Sequence, residues 1–528
     1  MELDHETCYR ALKTHDRRFD GLFFVAVKTT GIYCRPVCPA RTPRPDYCRF
    51  FHLSVQAEKD GFRPCLRCRP ERAPGRGPID SLPRIVGRAL RLLESGFLEE
   101  NSLEDLAAHL GVTSRHLRRA IQVELGVSLV DLAQTRRLAL AKQLLHETEL
   151  SMTDIAFASG FSSIRRFNDL FRSRFGCAPS GLRKGREAPR TGAPIRLQLE
   201  FRPPYDWQGI LEFLGPRLFS GVEVIENGLY SRTVRIGTST GWIRVSLAGE
   251  RHALKVEVSL SLARHLMSIT RRIRRLFDLD AHPGDIASVL GEDPRLRPLI
   301  EATPGIRVPG SFFPFETAIR TVLGQQISVK GARTLTSRLV TLLGEPIQTT
   351  IPGLERLPIV PAALALAEPS RLQSIGLTRA RTLTLVHLAR AVEDGSLDLR
   401  ITPAPEALYE SLLSLPGIGP WSASYLAMRA LGWPDAFPAG DLGLRKALGG
   451  GTPREIERLS EGWRPWRAYA AMLLWRSLFT SGSGNGQTTG TISGYKDKAV
   501  RPRPDDLPAS TRNRSRPRRA APRSGGSE

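Results

Sequence analysis

The sequence predicts a multidomain, mainly helical protein whose first domain is a small cysteine-rich α+β unit. Three observations carry this expectation. The chain has 528 residues, more than one hydrophobic core organises. Six of its seven cysteines lie between Cys8 and Cys68, and none follows Cys177. A stretch of period-two alternation after residue 195 separates two long stretches of helical periodicity.

Composition divides the chain into five segments. Residues 1–74 are cysteine-rich with mixed patterning, and Pro74-Gly75-Arg76-Gly77-Pro78 reads as a linker. Residues 80–184 are helical and arginine-rich, and a second linker runs from Gly185 to Pro194. Residues 195–290 open with strand-like runs at 195–201, 234–236 and 242–247, followed by a helix over roughly 262–277. Residues 291–480 read as helices joined by short loops. Residues 481–528 are Gly/Ser/Thr-rich, then Arg/Pro-rich, which predicts a disordered basic tail.

Lys and Arg total 76 against 53 Asp and Glu, a net charge of +23. Such an excess points to a polyanionic partner, although charge alone does not separate DNA, RNA and a membrane surface. No apolar run is long enough to read as a transmembrane helix, and the polar, acidic start is unlike a signal peptide. The expected location is therefore the cytoplasm, beside the nucleoid. In that reducing compartment, clustered cysteines favour a metal site or reactive thiolates over disulfides.

Cys34 and Cys38 form one close pair, Cys65 and Cys68 another, with the stretch from Pro39 to Pro64 between them. This spacing suits one zinc ion held by four thiolates. On spacing alone, a closed structural knuckle is favoured over a reactive site. The flanking residues, Thr29-Thr30-Gly31-Ile32-Tyr33-Cys34-Arg35-Pro36-Val37-Cys38 and Gly61-Phe62-Arg63-Pro64-Cys65-Leu66-Arg67-Cys68, resemble the N-terminal domain of the Ada adaptive-response proteins. That resemblance implies that Cys34 accepts a methyl group from a DNA methylphosphotriester.

Ser102-Leu103-Glu104-Asp105 is a capping box, Gly111-Val112-Thr113 a turn, and Ser114 to Val123 a second helix carrying Arg115, Arg118 and Arg119. The pattern recurs further along the chain. Ser151 caps, Gly160-Phe161 turn, and a further helix carries Arg165, Arg166, Arg172 and Arg174. A connecting helix is expected from Ala133 to Leu145. Two such units resemble the AraC-type helix-turn-helix domain, which implies that each second helix enters a major groove of double-stranded DNA. Arg115, Arg118, Arg165 and Arg166 are then the candidate phosphate or base contacts. A regulator of this type also implies RNA polymerase as a partner.

Leu415-Pro416-Gly417-Ile418-Gly419-Pro420 forms a tight turn between helices, suited to close backbone contact with a phosphate. Phe437-Pro438-Ala439-Gly440-Asp441 follows at a new helix start. With Gly324-Gln325-Gln326-Ile327-Ser328 and Trp463-Arg464-Pro465-Trp466, these motifs resemble the helix-hairpin-helix DNA glycosylases, specifically the 3-methyladenine DNA glycosylase II (AlkA) family, over 195–480.

The resemblance implies that residues 195–290 form that family's N-terminal α+β domain. It also implies that Asp441 is the catalytic carboxylate, with Trp421, Tyr425 and Trp475 as base-pocket aromatics. Trp421 and Tyr425 are four apart in the sequence, hence on one helical face. Asp441 reads equally as a helix N-cap, and Asp435 is a nearby alternative carboxylate. Gly417, Gly419 and Gln326 are implied DNA contacts.

Departures from the family pattern sharpen the expectation. Gln326 stands where the family inserts a leucine wedge, and Leu442 where it has a tyrosine. Trp421 stands where bifunctional superfamily members carry a Schiff-base lysine, which predicts base removal without strand cleavage. The absence of cysteine beyond Cys177 leaves no ligands for an iron–sulfur cluster in this half. No Pro-Cys-His-Arg motif for O6-methylguanine repair occurs. The whole-chain expectation is an alkylation-response protein that excises alkylated bases, accepts methyl groups and regulates transcription. The alternatives are a transcription factor whose second half only binds DNA, and a repair enzyme whose first half only docks it there.

Overall fold

The computed structural model describes residues 4–74, 84–95, 97, 102–183, 193–249, 252–399 and 405–480. The chain divides into two compact units, Met1–Gly494 and Tyr495–Glu528, and every described residue lies in the first. Most of both expected linkers, and the expected tail, fall outside the described residues.

Around the cysteines, strands β1 (Phe24–Val27), β2 (Ile32–Cys34), β3 (Cys48–Phe51) and β4 (Arg63–Pro64) form one sheet in the order β3-β1-β2-β4. The β1–β2 hairpin pairs Val25 with Cys34, and β4 runs parallel to β2, with Ile32 against Arg63. This topology brings the loop after β2 beside the loop after β4, and each loop carries one cysteine pair.

The helical repeat forms as its capping residues dictate. The Ser102 hydroxyl accepts from the Asp105 amide at 3.1 Å while the Asp105 carboxylate accepts from the Ser102 amide at 2.9 Å, closing the capping box. Thr113 caps Ser114–Leu125 and Ser163 caps Ile164–Phe175. Both helices end at a left-handed glycine, Gly126 and Gly176 respectively. The connecting helix is longer than expected, Leu129–Glu147, because a second capping box, Ser128 with Asp131, starts it a turn earlier.

Strands β5 (Ile195–Glu200), β6 (Glu223–Glu226), β7 (Leu229–Ile236), β8 (Ser239–Leu247) and β9 (Ala253–Val258) form an antiparallel sheet in the order β5-β9-β8-β7-β6. β6 and β9 are additions to the expected strands. β9 alternates cleanly, burying Leu254, Val256 and Val258 between β5 and β8. β6 is a short edge strand, too brief for its period to register. The helix expected over 262–277 divides into a 3₁₀ segment at Leu260–His265 and an α-helix at Leu266–Leu276.

The expected segment boundary near 185–194 is not a boundary of the core. Leu144, Ile155 and Phe167 of the helical repeat share one apolar cluster with Leu197, Val256 and Leu266. Beyond the sheet, the helices of 283–480 build two further cores. The helix Pro420–Arg429 serves both, with Ala423 and Leu426 in one and Ala427 and Met428 in the other. A buried ion pair, in which Nη2 of Arg232 on β7 donates to both carboxylate oxygens of Glu316 at 2.9 and 2.8 Å, ties the sheet to the first of them. The architecture is thus mainly helical and multidomain, with two small sheets.

Candidate functional site

Two candidate clusters stand out. In the first, the sulfurs of Cys34, Cys38, Cys65 and Cys68 all lie within 4.8 Å of one another. A tetrahedral zinc site with Zn–S bonds of about 2.3 Å needs sulfurs about 3.8 Å apart, so the group fits that ion. Backbone amides of Arg35 and Arg67 point at the Cys68 and Cys65 sulfurs, each at 3.4 Å, the usual outer support for thiolate charge.

Hydrogen bonding among the four groups spreads their acidities apart. Cys34 bonded to Cys38 holds the Cys38 thiol down at about 7, while the same contacts push Cys34 up. Four thiols this close cannot all ionise unless a cation replaces the shared protons. Cys34 is the most exposed of the four, at 9%.

The second cluster surrounds Asp441. Its carboxylate caps the helix Leu442–Ala447, accepting from the Leu444 amide at 3.0 Å through Oδ1. The N-cap reading and the site reading of Asp441 are therefore compatible. The Trp475 indole donates to the same Oδ1 at 2.9 Å, and the Trp421 indole donates to Oδ2 at 2.8 Å. A carboxylate offers about four acceptor positions. Among the described residues three are filled, which leaves one on Oδ2 for an incoming group. Trp421 stacks on Tyr425, with ring centres 5.5 Å apart and planes 15° apart, and Trp475 lies 6.1 Å beyond Tyr425. The helix Pro420–Arg429 sets the first two rings on one face, and the C-terminal helix Arg467–Thr480 brings in the third.

Asp435 is excluded from this arrangement. Its buried carboxylate is tied to Arg467 at 2.7 Å and to Arg464.

The hairpin lies at the end of the same helix. Gly417 has φ of +86°, and a Cβ there would sit 1.9 Å from the Thr384 hydroxyl, so glycine is demanded by the chain itself. Gly419 caps the helix with open space where a Cβ would be. Gln326 is exposed at the turn before the helix Val329–Leu343, in a left-handed conformation with φ of +56°. Arg115, Arg118, Arg165 and Arg166 are exposed on the second helices of their units. Arg118 is 3.1 Å from Glu104, and Arg165 is 3.9 Å from Asp169.

Four residues of the pocket lie outside the expected set. Phe213 stacks on Trp475 at 6.3 Å, reaching it from the sheet-bearing segment, far away in sequence. Arg217 lies 4.0 Å over the Phe213 ring, and Arg429 donates to the Tyr425 hydroxyl at 2.9 Å. Burial alone would raise the pKa of Tyr425, but Arg429, Arg217 and Arg320 together bring it below its ordinary value. Gln325 donates to the Gly417 carbonyl at 2.9 Å and to the Ser422 hydroxyl at 3.0 Å, fastening the Gln326 turn to the hairpin. The helical step from Tyr425 to Arg429 is a readable signal for Arg429. Nothing in the sequence announces the contact to Phe213.

Family models match three stretches of the chain: the metal binding domain of Ada at residues 7–71, a helix-turn-helix domain at 106–185 and the AlkA N-terminal domain at 196–312. A probable bifunctional transcriptional activator/DNA repair enzyme AlkA of Mycobacterium tuberculosis is 39% identical over 494 residues, 90% of this chain and 97% of the relative. The chain belongs to this family. DNA-3-methyladenine glycosylase 2 of Escherichia coli is 35% identical over 52% of this chain and 95% of its own length. The bifunctional transcriptional activator/DNA repair enzyme AdaA of Bacillus subtilis is 31% identical over 33% of this chain and 81% of its own. The Mycobacterium tuberculosis relative matches nearly the whole chain, whereas the Escherichia coli and Bacillus subtilis relatives each match a part of it. No helix among the described residues is long and apolar enough to cross a membrane.

Proposed function

We propose that this protein answers DNA alkylation with two chemistries, excising alkylated bases at Asp441 and accepting methyl groups at Cys34 as the signal for transcriptional regulation. The observation that carries the reading is the Asp441 carboxylate held by two indole donors inside an aromatic pocket, on the same chain as the four-cysteine cluster.

The base enters the pocket only when flipped from the stack, with the turn bearing Gln326 and the hairpin glycines holding the duplex around the gap. As the N-glycosidic bond breaks, the base leaves with the bonding electrons, and positive charge gathers on the sugar. The Asp441 carboxylate stabilises that cation, and water adds at the anomeric carbon. Aromatic faces favour a cationic alkylpurine by about 0.5–2 kcal/mol per ring. The guanidinium groups of Arg217 and Arg429 oppose this in the bound state. With Arg217 over the Phe213 ring and Arg429 over Phe213 and Tyr425, they favour departure of the base as a neutral molecule while charge moves toward Asp441. The site offers no amine nucleophile at Trp421, which supports hydrolysis without a lyase step.

In the N-terminal module, Cys34, Cys38, Cys65 and Cys68 would hold a zinc ion, whose charge would keep the sulfurs deprotonated at neutral pH. The Cys34 sulfur attacks the methyl carbon of a methylphosphotriester, an S–C bond forms, the C–O bond breaks, and the phosphodiester leaves as an anion. The product thioether does not revert, so the transfer is stoichiometric. It removes one negative charge from the module, which lowers its repulsion from DNA phosphates. Duplex DNA, both damaged and promoter DNA, and RNA polymerase are the partners of this reading, and its location is the cytoplasm beside the nucleoid.

One experiment tests both halves. The full-length protein is incubated with duplex DNA carrying methylphosphotriesters and 3-methyladenine, and protein mass and free base are measured. The expected result is one added methyl, placed on Cys34, and released 3-methyladenine with uncut abasic strands. A methyl found only on Cys38, or none, overturns the acceptor. Absence of free base overturns the glycosylase.

A further inference from the structure

The thiolate cluster is not a module apart. The side chain of Arg35, next to Cys34, is 4% exposed and reaches out of the N-terminal module. Its Nε donates to Asp20 at 2.8 Å, its Nη1 to the Cys68 carbonyl at 3.2 Å, and its Nη2 to Glu200 at the end of β5. Lys142 of the connecting helix, with its side chain 1% exposed, does the same from the other direction. Its ammonium group donates to the Cys65 carbonyl at 3.2 Å and lies 2.7 Å from Glu71.

The connecting helix and β5 are themselves joined. Glu147 accepts from the Gln198 amide at 2.9 Å, and Gln143 donates to the Gln198 carbonyl at 2.9 Å. Arg72 closes the ring, 3.3 Å from Glu147 and 3.2 Å from Glu200. Buried ions persist only when paired, and removing one partner leaves an uncompensated buried charge.

We propose that this three-module junction links the state of the four-cysteine site to the seating and stability of the glycosylase half, with Arg35, Lys142 and Glu200 as its positioning residues. Carbonyls of two cysteines in the cluster are held by cations whose counter-ions lie outside the loops that carry them. Order in the cysteine loops therefore fixes Arg35, and Arg35 fixes β5. By linkage the effect runs both ways: what stabilises one side stabilises the other to the same extent. The inference rests on the metal reading of the cysteines and is independent of methyl transfer and base excision.

The chain supplies its own reporter. All seven tryptophans, Trp207, Trp242, Trp421, Trp433, Trp463, Trp466 and Trp475, lie beyond Glu200, so tryptophan fluorescence reports unfolding on the glycosylase side of the junction and not from within the cysteine module. The test uses the full chain, zinc-loaded and zinc-stripped by a chelator, as wild type, Glu200→Gln and the control Glu257→Gln, whose carboxylate pairs with Arg196 elsewhere on the same sheet. Stripping zinc is expected to lower the tryptophan-reported melting temperature of wild type and Glu257→Gln by about 3 °C or more. In Glu200→Gln the zinc-dependent difference shrinks toward zero. In the opposite direction, Lys142→Met is expected to lose zinc to a coloured chelator about tenfold faster than wild type, with Lys142→Arg in between.

A wild-type melting temperature indifferent to zinc, with zinc bound at one per chain, overturns the junction and leaves the metal site standing. So does a Glu200→Gln protein that responds to zinc as wild type does. A chain that binds no zinc at all overturns the metal reading and the junction with it.

Discussion

The two candidate centres are built in opposite ways. The thiolate cluster takes its four groups from two short loops, Cys34 to Cys38 and Cys65 to Cys68, set side by side by a small sheet. The Asp441 pocket gathers Phe213, Trp421, Tyr425, Asp441 and Trp475 from elements spread over about half of the chain. The first depends on a cation to hold like charges together. The second holds one carboxylate by neutral indole and amide donors. A locally assembled site survives changes elsewhere in the chain unless they reach its outer supports, whereas a site assembled from remote elements is sensitive to packing everywhere around it.

Separability of the two chemistries is the strongest test of that contrast. Cys34→Ala is expected to abolish methyl uptake, read by mass spectrometry, with base release retained. Asp441→Asn is expected to reduce release of 3-methyladenine by about 10³-fold or more while DNA binding and methyl uptake persist. Cross-loss in either variant would break the contrast.

The hairpin gives the next largest effect. Gly417→Ala places a methyl group against the Thr384 hydroxyl at a φ of +86°, so the turn must shift, and base release should fall about 100-fold through misplacement of the DNA. Gly419→Ala meets open space, and its melting temperature should match wild type. A loss of duplex affinity in Gly419→Ala alone would then report a phosphate lying against that position.

Trp475→Phe keeps an aromatic ring and removes one donor to Oδ1 of Asp441. A hydrogen bond to a charged group is worth about 1.5–3 kcal/mol, so base release should slow about 10- to 100-fold with little change in DNA affinity. An unchanged rate would reduce Trp475 to a wall of the pocket.

The change expected to matter least for catalysis acts on stability alone, and it sets Asp441 against a second, half-buried carboxylate of the same half. Burial raises Asp278 to about 6, although the Tyr469 hydroxyl and the Val308 amide both donate to it. Its folded-state value lies above the ordinary unfolded value of about 3.9, so the protonated form is the one favoured by folding. Its contribution is full below about pH 4 and is lost as pH rises through about 6, amounting to at most roughly 3 kcal/mol. Tryptophan-monitored unfolding of Asp278→Asn should therefore lose that part of the decline between about pH 4 and pH 7. An identical pH profile in wild type and variant would show that another group carries the decline.

The legibility of the two centres in the sequence follows from their construction. Cys34, Cys38, Cys65 and Cys68 are readable as a group because sequence spacing nearly equals spatial spacing when two short loops supply all the ligands. Caps at Ser102 and Ser151 are readable for the same reason, since a cap bonds an amide two or three positions away. Asp441, Trp421 and Tyr425 are reached through motif resemblance and helical spacing. β6 is hidden by its length, and Phe213 and Arg217 by the tertiary nature of their contacts.

By itself, then, the sequence determined the modules, their order and the thiolate set, and it pointed to Asp441 as the candidate carboxylate, all features carried by covalent proximity, local hydrogen bonding or motif. Tertiary structure decided that Asp441 receives two indole donors, that guanidinium groups lie over the Phe213 and Tyr425 rings, and that Arg35 and Lys142 bind the cysteine loops to the rest of the chain. Those are contacts between residues remote in the chain, such as Arg35 with Glu200 and Phe213 with Trp475. No local pattern encodes such pairs, because packing of whole elements, and not chain proximity, sets which side chains meet.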